Sequence, residues 1–396
     1  MLYHILAMVF TCLTAPAVWA LPPEKPLNEA VSASRDPSNP PTTPTVIGQI
    51  ERLLRLQDDA TSGQAQSIPL QQTLIRQISN DIRNGQYPLT GELIDAAAAY
   101  ILSGGDPTIL NVFEEERYTP NSDYDLLEGS ALFMMGDREA AATHLKQIDL
   151  SSLSSTLRGR LALALAQIQD FSSPAHQYFL SVAISSMPGT LIEESALRRS
   201  TLAHADAGNE YMFWRRLERY QRRFSTSLFA RQFYMELIHK FVSWSGHEQK
   251  PDLVKLGVFL SSLPKEVQPS AYRTLARAAA RASQVEITDY AATRLQDIST
   301  ADSADDHISR LYGSIFSIAT KNGQMAFAQL QSINQTYLQP DDQALLVAAL
   351  SIAKDINQPT KYSVIRNLPP SAPSPLEVDA DKMLEDVGRL LQQAKS

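Results

Sequence analysis

The sequence predicts an all-α protein: a tetratricopeptide-like helical-hairpin solenoid with a disordered N-terminal leader and a tethered C-terminal helix. Three observations carry that expectation. Apolar residues recur at helical spacing from about Val46 onward, and sustained period-two runs of β-branched residues are absent. Alanine and leucine are abundant against 16 glycines in 396 residues, a balance that favours helix over a turn-rich β architecture. Helix breaks fall near positions 105, 136, 173, 208, 248, 284 and 323. Their spacing of roughly 31 to 40 residues brackets the repeat of helix-turn-helix arrays, whose units cannot bury their apolar faces alone and so stack on their neighbours.

The first element is an address. Ile5 to Leu13 is apolar, and Val18-Trp19-Ala20 places compact residues where signal peptidase reads them, so residues 1–20 are an expected signal peptide cleaved after Ala20. That run is far shorter than the ~20 residues a spanning helix needs. No later segment reaches that length, so the mature chain is expected not to span a membrane. The single cysteine, Cys12, lies inside the signal, and Val9-Phe10-Thr11 lacks the small residue that a lipoprotein signal places before its cysteine. A mature chain without thiols has neither disulfides nor thiol catalysis and suits the periplasm. Residues 21–45 hold Pro22, Pro23, Pro26, Pro37, Pro40, Pro41 and Pro44 among Ser, Thr and Asn. Such a composition cannot bury enough surface to offset its ordering entropy, and it reads as a proline-rich disordered leader.

The helical array is expected over residues 46–367. Gly104-Gly105-Asp106-Pro107 combines a left-handed C′ glycine, a capping Asp and a first-turn Pro. Gly136-Asp137, Gly208-Asn209 and Asn322-Gly323 read as further tight corners, and Ser172-Ser173-Pro174 and the 245–251 segment as breaks without paired glycines. Ala131, Ala140, Ala203, Ala230, Ala276 and Ala279 offer small surfaces where helices would cross. A proline-rich linker follows at 368–376. In the last segment, 377–396, Met383, Leu384, Val387, Leu390, Leu391 and Ala394 fall at helical spacing, with Glu377, Asp379 and Asp381 in the first turns and Lys395 in the last. This amphipathic C-terminal helix either caps the array or docks into a partner's groove.

Chemistry is sparse. A net charge of -8 gives no general attraction for nucleic acid or anionic lipid, so nucleic acid is not an expected partner. The seven histidines show no paired-ligand spacing, and P-loop, GxSxG and GxGxxG patterns are absent, so neither a metal nor a cofactor is expected. Glu193-Glu194-Ser195 has the Glu-Ser context of lytic transglycosylases but not their glycine-rich surroundings. A capping box fits better, with Thr190 as N-cap and Glu193 at N3, and Arg198 stands four residues after Glu194 in the preferred ion-pair order. The densest charge feature is Arg215, Arg216, Arg219, Arg222 and Arg223. Arg215, Arg219, Arg222 and Arg223 share one broad helix face, while Phe213, Trp214, Leu217 and Tyr220 feed the core. This face is the candidate partner-binding ridge for an acidic protein or cell-wall polymer, or else a solvated surface paired with Glu218 and Glu210. Tyr211, Trp214 and Trp244 read as packing between repeats.

Several stretches are similar to one known family. Leu102-Ser103-Gly104-Gly105-Asp106-Pro107, the run from Pro188-Gly189-Thr190 through Glu193-Glu194-Ser195 to Arg198-Arg199, and the spacing of Tyr220, Arg223-Phe224, Ser227, Ala230 and Phe233 resemble the MotC family, periplasmic motility proteins of rhizobial-type alphaproteobacteria. The resemblance covers roughly residues 46 to 300, and the C-terminal hundred residues add little. It implies a non-enzymatic protein needed for flagellar motor rotation, which engages the periplasmic part of the stator subunit MotB, influences torque or ion flow, and is served by a dedicated periplasmic chaperone. It supplies no catalytic residues. The alternative expectation is a general periplasmic solenoid scaffold for envelope assembly or peptidoglycan binding.

Overall fold

In the computed structural model, residues 43–85, 90–116, 122–245, 252–320 and 322–357 are described. The Ala20 cleavage site, most of the proline-rich leader, the 368–376 linker, the 377–396 segment, the 246–251 break and the Trp244 side chain lie outside them. Among the described residues the fold is all-helical and built from packed helical hairpins. The chain divides into two compact units, residues 1–313 and 314–396.

The first unit begins with α1 (Thr43–Thr61), α2 (Ser67–Asn84) and α3 (Gly91–Leu102). Helix α1 starts inside the expected leader, with Pro44 in its first turn, where a missing N–H leaves no hydrogen bond unmade. After α3, residues Pro107–Glu116 wind as a 3₁₀ helix where an α-helix was expected. Thr108, Ile109 and Val112 are β-branched and poor α-formers, and the Asp106 carboxylate holds the Thr108 N–H at 2.9 Å. There follow α4 (Ser122–Met135), α5 (Arg138–Leu145), α6 (Ser155–Ile168), α7 (Pro174–Ser186), α8 (Leu191–Asp206), α9 (Glu210–Phe224) and α10 (Ala230–Ser245). Helices α11 (Leu253–Ser261), α12 (Gln268–Arg281), α13 (Val285–Ile298) and α14 (Ala304–Ser314) bring the unit to its boundary. The second unit contains α15 (Gly323–Gln331) packed on α16 (Pro340–Asn357).

One corner motif recurs. At Gly104 (φ +86°) the N–H groups of Gly104 and Gly105 bond back to the carbonyls of Ile101 (3.0 Å) and Tyr100 (2.9 Å). This is the pair of bonds that satisfies orphan carbonyls at a helix C-terminus. Gly136 and Gly208 repeat it, and so does Ser283, a non-glycine residue held at φ +57°. The new helices then take side-chain caps: Asp137 on the Ala140 N–H (3.0 Å), Ser173 on His176 (3.1 Å) and Asn209 on Met212 (3.2 Å). Asn322-Gly323 departs from the expected corner. Gly323 opens α15, and a Cβ there would lie 2.4 Å from the Ile318 carbonyl oxygen, so glycine is needed for close approach.

Packing proceeds mostly between sequence neighbours, α3 on α4, α6 on α7, α8 on α9 and α12 on α13, with rows formed by α6, α8, α10 and α12. The crossing alanines Ala131, Ala203, Ala230, Ala276 and Ala279 are buried, while Ala140 is half-buried. Packing also reaches beyond the neighbours: α3 lies against α6, and α1 lies against α8. The Leu191 N–H at the start of α8 donates to Asp58 Oδ1 (2.9 Å), and the Leu228 N–H donates to the Ala60 carbonyl (3.1 Å). The stretch from α1 to α9 is therefore closed on itself, where a simple stacked array would leave its first helix in contact only with the next repeat.

Candidate functional site

The expected arginine ridge lies on α9, against the N-terminal end of α8. Its inner face is apolar as the spacing predicts: Phe213, Leu217, Tyr220 and Phe224 are buried, and Trp214 is half-buried against Phe241 at 5.4 Å. Tyr211 corrects the packing expectation. It is 70% exposed, because its position falls on the opposite side of α9 from Phe213 and Leu217. Glu210 also departs from its expected place beside the arginines and pairs with Lys255 at 2.8 Å and the Trp214 indole at 3.2 Å.

The structure treats the arginines unequally. Arg219 donates through Nε (2.8 Å) and Nη2 (2.5 Å) to Glu193 Oε1, and Arg223 Nε lies 3.1 Å from Glu193 Oε2. Glu193 is wholly buried and also accepts the Gly189 N–H at 2.6 Å. Arg216 turns inward to Ser181 of α7 at 3.2 Å, and burial beside two other guanidiniums lowers its pKa. Arg215 rests on exposed Tyr211, and Arg222 sits 3.5 Å from exposed Glu218. The ridge offers Arg215 and Arg222 outward, while Arg219 and Arg223 neutralise a buried carboxylate.

The stretch around Glu193 forms the expected helix start and more. Thr190 is the N-cap of α8, its hydroxyl facing the Glu193 N–H at 3.5 Å, while the Glu193 carboxylate reaches one residue past Thr190 to the Gly189 N–H. Glu194 is equally buried, and its Oε1 accepts from Tyr220 (2.8 Å) and Ser227 (2.6 Å). Burial raises its pKa against the opposing pull of Arg198 and these two hydroxyls. Arg198 stacks its guanidinium on Phe229 at 5.2 Å. Glu194, Tyr220 and Ser227, with Phe233 at 4.5 Å from the Tyr220 ring, thus meet in one buried knot joining α8, α9 and α10.

A second buried cation was not singled out in the sequence. Arg160 of α6 is 2% exposed, with Nε on Ser103 Oγ (2.8 Å) and Nη1 on the Thr156 carbonyl (3.0 Å). Burial pulls its pKa down to about 10, partly restored by the nearby Asp58 carboxylate, so it stays charged at neutral pH. A signal was present: Arg160 stands between Leu157, Leu161 and Ala164 on the apolar stripe of its helix, a register where a cation requires a partner.

Comparison with known proteins gives the family. The family described as "Chemotaxis protein MotC" matches residues 7–394. The chain belongs to the MotC family. A curated relative, "Chemotaxis protein MotC" of Rhizobium meliloti (strain 1021), is 25% identical over 337 residues, covering 84% of this chain and 76% of the relative. No solved structure matches. MotC membership places the chain among chemotaxis and motility proteins, and no helix among the described residues is long and apolar enough to cross a membrane.

Proposed function

We propose that the chain is a periplasmic, non-enzymatic motility protein required for flagellar motor rotation, which binds the periplasmic part of the stator subunit MotB and modulates torque or ion flow. The family match over residues 7–394 carries this reading, because it spans the whole helical array and not one shared corner motif. The state of Glu193 supports the non-enzymatic part: a carboxylate wholly buried under two guanidiniums is a structural anion with no open face for a substrate. The outward pair Arg215 and Arg222 is the proposed contact for an acidic partner surface, with Arg219 and Arg223 at its edge. A dedicated periplasmic chaperone is the second proposed partner.

The deciding experiment is an in-frame deletion in the source bacterium, scoring swimming and flagellar filaments in the same cells. Paralysed cells with normal filaments are expected; normal swimming, or loss of filaments, would remove the reading. In vitro, Arg215→Glu with Arg222→Glu should weaken binding to the MotB periplasmic region by roughly tenfold or more in calorimetry. The same pair should move folding stability by no more than about 0.5 kcal/mol, because both side chains are exposed.

A further inference from the structure

Closure of α1 onto α8 leaves a cavity of about 150 Å³ between α1, α2, α3, α4, α6, α8 and the turn before α10. Its walls are mainly apolar, with Phe133, Leu163, Ile192 and Phe229 among the residues that line it. The ionisable residues lining it are Arg160 and Arg199, and no carboxylate lines it. Arg160 is more than nine-tenths buried, and two of its three guanidinium nitrogens are engaged with Ser103, Thr156 and the Met187 sulfur. Among the described residues Nη2 donates to no protein atom, yet it is not sealed in the packing. Asp58, the nearest anion, bonds the Leu191 N–H of α8 and makes no ion pair with Arg160.

Asp58 compensates the Arg160 charge at a distance but leaves one guanidinium edge without an acceptor, on an apolar chamber where a hydrogen-bonded anion gains most. We propose that this cavity binds a small carboxylate carried on a compact apolar body, with the carboxylate on Arg160 Nη2 and the body between Phe133, Leu163 and Phe229. The chemistry narrows the ligand. A phosphate dianion would bring more charge and more acceptors than one guanidinium edge and apolar walls can satisfy, whereas a monocarboxylate leaves its second oxygen to the remaining amide hydrogen of Gln57, whose other is held by the Ser103 carbonyl. Size narrows it too: a cavity on the order of 150 Å³ accepts a body about as large as benzene. Occupancy would brace α1 against α8, so the ligand would act on the closure that distinguishes this fold from an open array.

Benzoate is the probe, and benzyl alcohol its neutral counterpart of similar shape. Calorimetry on residues 21–396 should show benzoate binding at least about tenfold tighter than benzyl alcohol, the advantage of one charge-assisted hydrogen bond. Arg160→Met should remove that preference. Leu163→Trp fills the chamber while keeping the Arg160 guanidinium and should abolish binding of both compounds while circular dichroism reports a folded chain. Equal binding of acid and alcohol, benzoate binding that survives Leu163→Trp, or no binding up to about 10 mM would each overturn the proposal. If Arg160→Met fails to fold, the alcohol comparison and Leu163→Trp decide alone.

Discussion

Glu193 and Glu194 are adjacent and both wholly buried, yet they are stabilised by different means. Glu193 receives two guanidiniums and a backbone N–H. Glu194 receives two hydroxyls on Oε1, and its Oε2 has no hydrogen-bond partner among the described residues. Desolvation therefore dominates at Glu194 and raises its pKa above the ordinary 4.5. Between the unfolded and the raised folded value, the native state holds more protons than the unfolded state, so this residue's contribution makes stability fall as pH rises. Glu194→Gln stays neutral throughout. Its stability relative to the unsubstituted chain should improve as pH rises from about 4.5 through the raised value and then level off. Urea unfolding of both proteins across pH 4.5 to 8 checks this; a difference that does not vary with pH would refute it. Sequence alone made the helix start at Thr190 legible, since a capping box is local grammar. It could not show that Tyr220 and Ser227, more than twenty residues on, would close over the carboxylates, because that depends on how α8 crosses α9.

At the scale of elements, the corners after α4 and α1 separate two costs that glycine can relieve. Gly136 sits at φ +92° with open space around it, so Gly136→Ala should cost only the left-handed backbone penalty, about 1 to 2 kcal/mol. Gly63 sits at φ +82°, and a Cβ there would lie 2.7 Å from the Thr226 carbonyl oxygen. Gly63→Ala meets backbone as well and should cost at least about 1 kcal/mol more, because the closing turn must shift. Denaturant melts of the two variants compare them directly, and equal losses would mean that the approach of residue 63 to residue 226 is loose. The corners at 104, 136 and 208 were readable because glycine followed by a capping Asp or Asn is a short-range signal. Ser283 performs the same turn without one, and its corner was placed only by the spacing of its neighbours.

For the first unit as a whole, closure of α1 on α8 predicts coupling that a stacked array lacks. Leu53→Ala removes a fully buried side chain from α1 and should cost roughly 2 to 5 kcal/mol locally. Hydrogen exchange should then quicken at the start of α8 around Leu191 and in the turn before α10 around Leu228, whose N–H groups bond to Asp58 and Ala60. In an array coupled only through neighbours, the loss would stay within α2 and α3. Unchanged protection across residues 191–206 would show the closure to be energetically empty.

The helical class, the corner chemistry and the inward faces of the helices were legible from the chain, because each rests on contacts within a few residues or on a periodic apolar stripe, and the family was legible from motifs in matching order. The return of α1 to α8, the hold of Glu193 on Arg219 and Arg223 while Arg215 and Arg222 face outward, and the place of Arg160 on a chamber emerge from the packing of distant segments. Hydrophobic burial specifies that a helix face must be covered but is non-directional, so it does not specify which distant helix covers it. That choice is made by the few polar groups, Asp58, Arg160 and Glu193 among them, which cannot be buried without a partner of matching geometry.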